Sequence, residues 1–86
     1  PHGWSGLGGQ ATSPFYPGGD ACGSSTGSGI AAAIGLAAAT LGTETDGSII
    51  CPSARNNLVG IKPTVGLTSR KLVIPLSHTQ DSVGPM

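Results

Sequence analysis

The stretch GTETDGSIICP, residues 42–52, places two carboxylates and a serine inside a glycine-bracketed segment. Glu44 and Asp46 alternate with threonines, and Ser48 follows a glycine just before an apolar pair. This order fits neither a regular strand nor an amphipathic helix. Glycine-rich turns bring backbone N–H groups together, which suits them to binding an anionic oxygen. We therefore predict a pliable loop that presents Ser48.

Length and composition indicate a piece of a larger protein. The 86 residues include 15 glycines and 7 prolines, only 9% are charged, and the net charge is zero. Because the chain is rich in turns, poor in charge, starts without methionine and stops abruptly at Met86, we expect an internal fragment of one domain. No basic run supports nucleic acid or an anionic membrane as a partner. The apolar run 30–41 is well short of the roughly 20 residues that span a bilayer.

The two cysteines carry no motif. Cys22 and Cys51 lack C-x-x-C spacing and have no histidine nearby. We expect two free, buried or incidental thiols rather than a disulfide or a metal pair.

The secondary structure predicted from the pattern is mixed. Residues 1–23 are rich in turns, whereas Ile30 to Leu41 show helical spacing of apolar residues, with Gly42 where a helix would stop. The hydroxyls of residues 24–26 are placed to cap that helix. A short helical turn is expected over 49–57. Apolar segments predict one buried strand and two further extended pieces, at residues 58–63, 64–70 and 71–77. Helix and strands together favour an α/β fold.

Three motif hypotheses compete for the serines. Residues 23–27 fit G-x-S-x-G, the nucleophile elbow of α/β-hydrolases, with Ser25 as the nucleophile of a carboxylesterase, although no convincing strand precedes it. A phosphate-binding loop is excluded, because neither Lys62 nor Lys71 is followed by serine or threonine. A Ser-His-Asp arrangement could draw on His78 and Asp81, but nothing in the sequence ties them to Ser48.

Four segments together resemble the amidase signature family of serine hydrolases. They are GSSTGSG, LGTETDGSI, VGIKPTVGLTSR and QDSVGPM, at residues 23–29, 41–49, 59–70 and 80–86. The resemblance covers about 18–86 in the order and spacing of the family, and the ETDGSI form is most similar to amidases of fungi, plants and some bacteria. It implies a three-layer α/β/α fold with a large mixed sheet, of which this chain would be a partial segment. In that segment we expect a turn-rich lead-in at residues 1–23, catalytic loops flanking a helix at residues 24–52, and strands and loops at residues 53–86.

The resemblance also implies a Ser–cis-Ser–Lys triad. Ser48 corresponds to the nucleophile, and Ser24 to the bridging serine that follows a cis peptide bond. The backbone N–H groups of Thr45, Asp46, Gly47 and Ser48 correspond to the oxyanion hole. The family's catalytic lysine lies several tens of residues before the bridging serine, so the 86 residues alone are expected to be inactive.

The activity implied is hydrolysis of a non-peptide carboxylic amide through a serine acyl-enzyme, with a small-molecule amide as substrate and no cofactor or metal. The alternative from another class is a non-catalytic relative, or the glutaminase-type component of a glutamine amidotransferase complex. One departure concerns Ile50, where many relatives carry arginine. Isoleucine at this position is expected to leave Glu44 and Asp46 without that arginine as a partner.

Overall fold

The computed structural model describes residues 2–86, so Pro1, the first residue of the predicted lead-in, lies outside it. Six short elements follow one another: β1 Trp4–Ser5, β2 Gly9–Gln10, α1 Thr26–Ala33, β3 Leu41–Glu44, α2 Ile50–Arg55 and β4 Ser82–Pro85. Helices and strands are both present, as the α/β prediction requires. The three-layer arrangement with a large mixed sheet stays a prediction, since these elements form only two-stranded sheets.

Strands β3 and β4 pair antiparallel and bring the middle of the chain against its end. Leu41 lies opposite Pro85, and Glu44 lies opposite Ser82. The ladder continues one step further, because the backbone groups of Thr40 and Met86 exchange hydrogen bonds of 3.0 and 2.9 Å. This pairing carries the segment that follows β3, which contains Ser48, next to the C-terminal residues.

Helix α1 is shorter than predicted. It ends after Ala33, and Gly35 adopts a positive φ of 76°. The N–H of Gly35 then bonds the carbonyl of Ala32, and the N–H of Leu36 bonds that of Ala31, which is the Schellman arrangement of a helix C-terminus. The prediction of helix up to Leu41 was therefore wrong: glycine at position 35 ends the helix instead of lying within it.

The predicted caps of α1 are also absent. Ser25 occupies the N-cap position but makes no side-chain cap hydrogen bond. Its hydroxyl instead contacts the backbone of Thr43 on β3, while the hydroxyl of Thr26 donates to the carbonyl of Cys22. These hydroxyls tie the start of the helix to neighbouring segments.

A small core forms where α1 packs on α2. A Cβ on Gly29 of α1 would lie 3.2 to 3.3 Å from Asn56, Met86 and Pro52, so the glycine permits a close helix approach. Ile49 and Asn56 are fully buried, and the Asn56 amide donates to the carbonyls of Ala21 and Pro52. The core thus joins the two helices to the last residue of the chain.

The remaining segments are irregular. The lead-in is rich in turns, as predicted, and contains the small β1–β2 hairpin, which was not predicted. The strand predicted over 58–63 and the extended pieces over 64–77 are not strands in the structure. Ile61 does donate to the carbonyl of Pro85 at 3.0 Å, but this single bond builds no ladder.

Candidate active site

The loop between β3 and α2 carries Ser48 and is anchored by a buried carboxylate. Glu44, only 6% exposed, accepts hydrogen bonds from the N–H groups of Ile49 and Ile50 at 2.7 and 2.8 Å. These N–H groups open α2 and have no partner within the helix, so the carboxylate satisfies them. Position 50 offers Glu44 no arginine side chain, and the backbone N–H groups of Ile49 and Ile50 serve as its donors instead.

Thr45, the next residue of the loop, is held from two sides. Its carbonyl oxygen accepts a hydrogen bond from Lys62 Nζ at 2.8 Å, and its hydroxyl donates to Asp81 Oδ1 at 2.7 Å. Asp81 Oδ2 in turn accepts the N–H groups of Leu76 and Ser77 at 2.8 and 2.9 Å. The backbone of the loop is thereby fixed by contacts from two distant segments.

The tip of the loop has unused donors. Among residues 2–86, none of the backbone N–H groups of Asp46, Gly47 and Ser48 donates a hydrogen bond. Gly47 has a φ of 145°, a conformation that a side chain would disfavour. Three consecutive N–H groups without partners, in a loop that Glu44 and Thr45 hold in place, could receive a negatively charged oxygen.

The turn that contains Ser24 lies against this loop. The N–H of Ser25 donates to the carbonyl of Ser48 at 3.2 Å, and the peptide bond between Gly23 and Ser24 is cis, as the resemblance implied. Within residues 2–86 neither the Ser24 nor the Ser48 hydroxyl has a hydrogen-bond partner, and the two do not bond each other. The structure thus brings the two serine-bearing segments together and leaves both hydroxyls without a hydrogen-bond partner within residues 2–86.

A disulfide joins the same two segments. Cys22 and Cys51 are bonded, with their Cα atoms 5.8 Å apart, a normal separation for such a bond. The expectation of two free thiols was wrong. The cysteines are 29 residues apart in sequence, and only the fold shows that the segment before Ser24 meets the first turn of α2.

The residues of the Ser-His-Asp hypothesis are used differently. His78 is exposed, and its side chain makes no hydrogen bond within the described part of the chain. Asp81 accepts a hydrogen bond from the Thr45 hydroxyl, and this bond is the main cause of the lowered pKa of the Asp81 carboxyl. The N–H groups of Leu76 and Ser77 and the charge of Arg70 lower the pKa further, while burial raises it. Asp81 therefore supports the loop rather than orienting a catalytic histidine.

Sequence reasoning missed the parts that Glu44, Lys62 and Asp81 play in holding the loop. The sequence shows Glu44 four positions before Ser48, but it does not show that the backbone N–H groups of Ile49 and Ile50 are its partners. For the other two residues, contact with Thr45 depends on the path of the chain through 58–81, for which the sequence carries no local signal.

Two further properties of the described residues 2–86 bear on function. No group of three or more histidine, cysteine, aspartate or glutamate side chains there could hold a metal ion. No helix in that range has the length and apolarity needed to cross a membrane.

Comparison with known proteins identifies the family to which the chain belongs. The Amidase family profile matches residues 3–86. A putative amidase of the fungus Arthroderma benhamiae is 59% identical over 85 residues, covering 99% of this chain and 14% of the relative. A probable amidase of Arabidopsis thaliana is 52% identical over 86 residues, covering all of this chain and 17% of the relative. The crystal structure of native peptide amidase from Stenotrophomonas maltophilia superposes with a TM-score of 0.87 at 52% identity, covering 98% of this chain and 17% of that one.

The chain belongs to the Amidase family, with fungal and plant amidases among its similar relatives. It has the α/β fold of the corresponding part of these proteins. It spans about one sixth of the length of the relatives it matches.

Proposed function

We propose that this chain is the serine-bearing segment of an amide hydrolase that cleaves a carboxylic amide C–N bond through an acyl-enzyme on Ser48. The observation that carries the proposal is the row of unpartnered N–H groups at Asp46, Gly47 and Ser48, beside a Ser48 hydroxyl that is itself free. Membership in the Amidase family supports the amide substrate class. Similarity to a peptide amidase supports including amides carried by peptides among the substrates to be tried.

The mechanism that follows is acyl transfer. Ser48 Oγ attacks the amide carbon while its proton passes to Ser24, and Ser24 passes its own proton to a lysine outside these 86 residues, which the family resemblance places upstream. The oxyanion of the tetrahedral intermediate binds the unpartnered loop N–H groups of Asp46, Gly47 and Ser48. The C–N bond then breaks, the relay returns the proton to the leaving amine, and water hydrolyses the acyl-enzyme.

The carboxylesterase alternative, with Ser25 as the nucleophile, has less support. The Ser25 hydroxyl donates a hydrogen bond to the Thr43 carbonyl at 3.2 Å and accepts one from the Thr43 N–H at 3.1 Å. The hydroxyl is therefore already engaged as a donor and as an acceptor. Within residues 2–86 no strand leads directly into Ser25, as the elbow of that fold requires, because the preceding strand β2 ends at Gln10. The alternative of an amidotransferase component differs in needing a partner protein, so amide hydrolysis by the purified full-length protein alone would exclude it.

The test is covalent labelling of the full-length protein that carries this segment. A fluorophosphonate probe should label Ser48, as located by mass spectrometry, with fluoride as the leaving group. Ser48→Ala should abolish both labelling and hydrolysis of a panel of primary amides, and Ser24→Ala should lower both by at least about 100-fold. The matched control is Ser5→Ala in the exposed β1–β2 hairpin. If Ser48→Ala kept near-normal turnover, the nucleophile would be elsewhere.

A further inference from the structure

Lys62 has no part in the triad, yet its side chain reaches the loop proposed to bind the oxyanion. The half-buried Lys62 donates from Nζ to the carbonyl oxygen of Thr45 at 2.8 Å. No carboxylate forms an ion pair with Lys62 within residues 2–86, so its only hydrogen-bond partner in this range is a backbone carbonyl. A charged donor bonds a carbonyl more strongly than a neutral donor does, and the contact therefore fixes the direction of that carbonyl.

The direction of the Thr45 carbonyl determines the direction of the next N–H. Gly23–Ser24 is the only cis peptide bond within residues 2–86, so the bond between Thr45 and Asp46 is trans. In a planar trans peptide the C=O and the N–H point in opposite directions. Because Lys62 holds the carbonyl, the N–H of Asp46 points away from Lys62 and stays unpartnered at the tip of the loop.

Asp81 adds a second contact to the same residue, and the two contacts are connected. The Thr45 hydroxyl donates to Asp81 Oδ1. The residue after Asp81, Ser82, donates from its hydroxyl to the carbonyl of Pro63, the residue after Lys62, at 2.9 Å. Lys62 thus holds the carbonyl of Thr45 and Asp81 holds its hydroxyl, and the hydrogen bond between Ser82 and Pro63 connects the segments that carry them.

We propose that Lys62 is a positioning residue that aims the Asp46 N–H at the oxyanion, with Asp81 holding the same peptide unit through Thr45. This inference rests on the proposed function of Ser48 and the loop amides. Lys62 acts as a proton-bearing donor to a carbonyl and not as the base of the relay. Its charge also polarises the peptide group, which makes the Asp46 N–H a stronger donor. The effect is therefore on transition-state binding and not on the binding of the intact substrate.

The test separates rate from binding in the full-length protein. Saturation kinetics with a fluorophosphonate probe give an inactivation rate constant, kinact, and a binding constant, KI. Lys62→Met, which keeps the length of the side chain but not the donor, should lower kinact at least about 10-fold, with KI within about 2-fold of the original protein. Lys62→Arg should recover most of kinact. The matched control is Lys71→Met, since Lys71 is exposed and its side chain makes no hydrogen bond within residues 2–86.

Thermal melts of each variant show whether it is folded at the assay temperature. If Lys62→Met does not fold, Thr45→Val, which keeps the backbone and removes only the Asp81 contact, should lower kinact about 3-fold or more without changing KI. Wild-type kinact in a folded Lys62→Met variant, a loss confined to KI, or no recovery by arginine would overturn the positioning role. Absence of Ser48 labelling in the unmodified protein would instead overturn the proposed function. This labelling is measured first, before any Lys62 variant is made, so the two failures can be told apart.

Discussion

The backbone N–H of Ser25 donates to the carbonyl oxygen of Ser48 at 3.2 Å, although the two residues are 23 positions apart (48 − 25). This bond joins the turn that contains Ser24 directly to the residue that carries the proposed nucleophile. The side chain of Ser25 reinforces it by bonding both backbone groups of Thr43 at the edge of β3. Two loops that the sequence separates by a helix are therefore held against each other by the residue beside Ser24.

Ser25→Ala should lower activity modestly rather than abolish it. The substitution removes both side-chain hydrogen bonds to Thr43 but keeps the backbone bond to Ser48, so the loops lose part of their connection. We expect a loss of about 1–2 kcal/mol in the free energy of unfolding and a several-fold lower kcat, far smaller than the effect of Ser48→Ala. Urea unfolding and initial rates on the full-length protein measure both. Abolished activity in a folded Ser25→Ala variant would favour the carboxylesterase hypothesis.

Glu44→Gln should weaken the anchor of the Ser48 loop. The glutamine keeps the size of the side chain and an acceptor oxygen but loses the charge that strengthens the bonds from the N–H groups of Ile49 and Ile50. We expect a loss of about 1–2 kcal/mol in the free energy of unfolding, and a larger loss for Glu44→Ala, which leaves both donors unsatisfied at a buried site. Asp46→Asn, at an exposed position in the same loop, is the control. Equal stability of the glutamine and alanine variants would show that the contact does not anchor the loop.

Replacing both cysteines should destabilise the protein through its unfolded state. The bond between Cys22 and Cys51 closes a loop with a sequence separation of 29, for which chain entropy predicts roughly 3–4 kcal/mol. The double variant Cys22→Ser with Cys51→Ser should therefore unfold at lower urea concentration. Adding a reductant should destabilise the unmodified protein to the same degree and leave the double variant unchanged. Alkylation of both thiols in the native, unreduced protein would show that the bond does not form.

How much of the site was predictable depended on how local its determinants are. The turn around Ser48, residues 45–49, and the helical turn α2 were predicted correctly, because glycines and apolar spacing within a dozen residues determine them, whereas residues 42–44, predicted as part of the same loop, belong to β3. Strands β3 and β4 were missed, since each pairs with a segment about 40 residues away and β4 contains Gly84 and Pro85, which disfavour strands.

The same distinction explains the misplaced helix end and the unpredicted disulfide. Gly35 is one of several small residues in an alanine-rich run, and only its positive φ distinguishes a helix end from a tolerated glycine. Cys22 and Cys51 meet because α1 packs against α2, a contact that no local pattern encodes. Hydrogen bonds to Thr45 from Lys62 and Asp81 likewise follow from the folded path.

The contact between Asp81 and Thr45 should appear as acid sensitivity. The Thr45 hydroxyl, followed by the Leu76 N–H, lowers the pKa of Asp81 below the ordinary value of 3.8. A carboxyl whose pKa is lower in the folded than in the unfolded state binds fewer protons when folded. It therefore contributes stability above about pH 3.8, and that contribution disappears as the pH falls through the lower folded pKa.

Asp81→Asn provides the measurement. The difference in unfolding free energy between the original protein and this variant should be constant from about pH 5 to about pH 7 and should shrink steadily below about pH 4. Urea unfolding of the full-length protein at a series of pH values gives that difference. Thr45→Val, which removes the first cause of the lowered pKa but keeps the carboxylate, should also be less stable than the original protein near neutral pH, and this difference should shrink in acid as well. A difference for Asp81→Asn that stays constant down to about pH 2.5 would mean that the charge of Asp81 does not stabilise the fold. Its contact with Thr45 would then support the loop without any contribution from the charge.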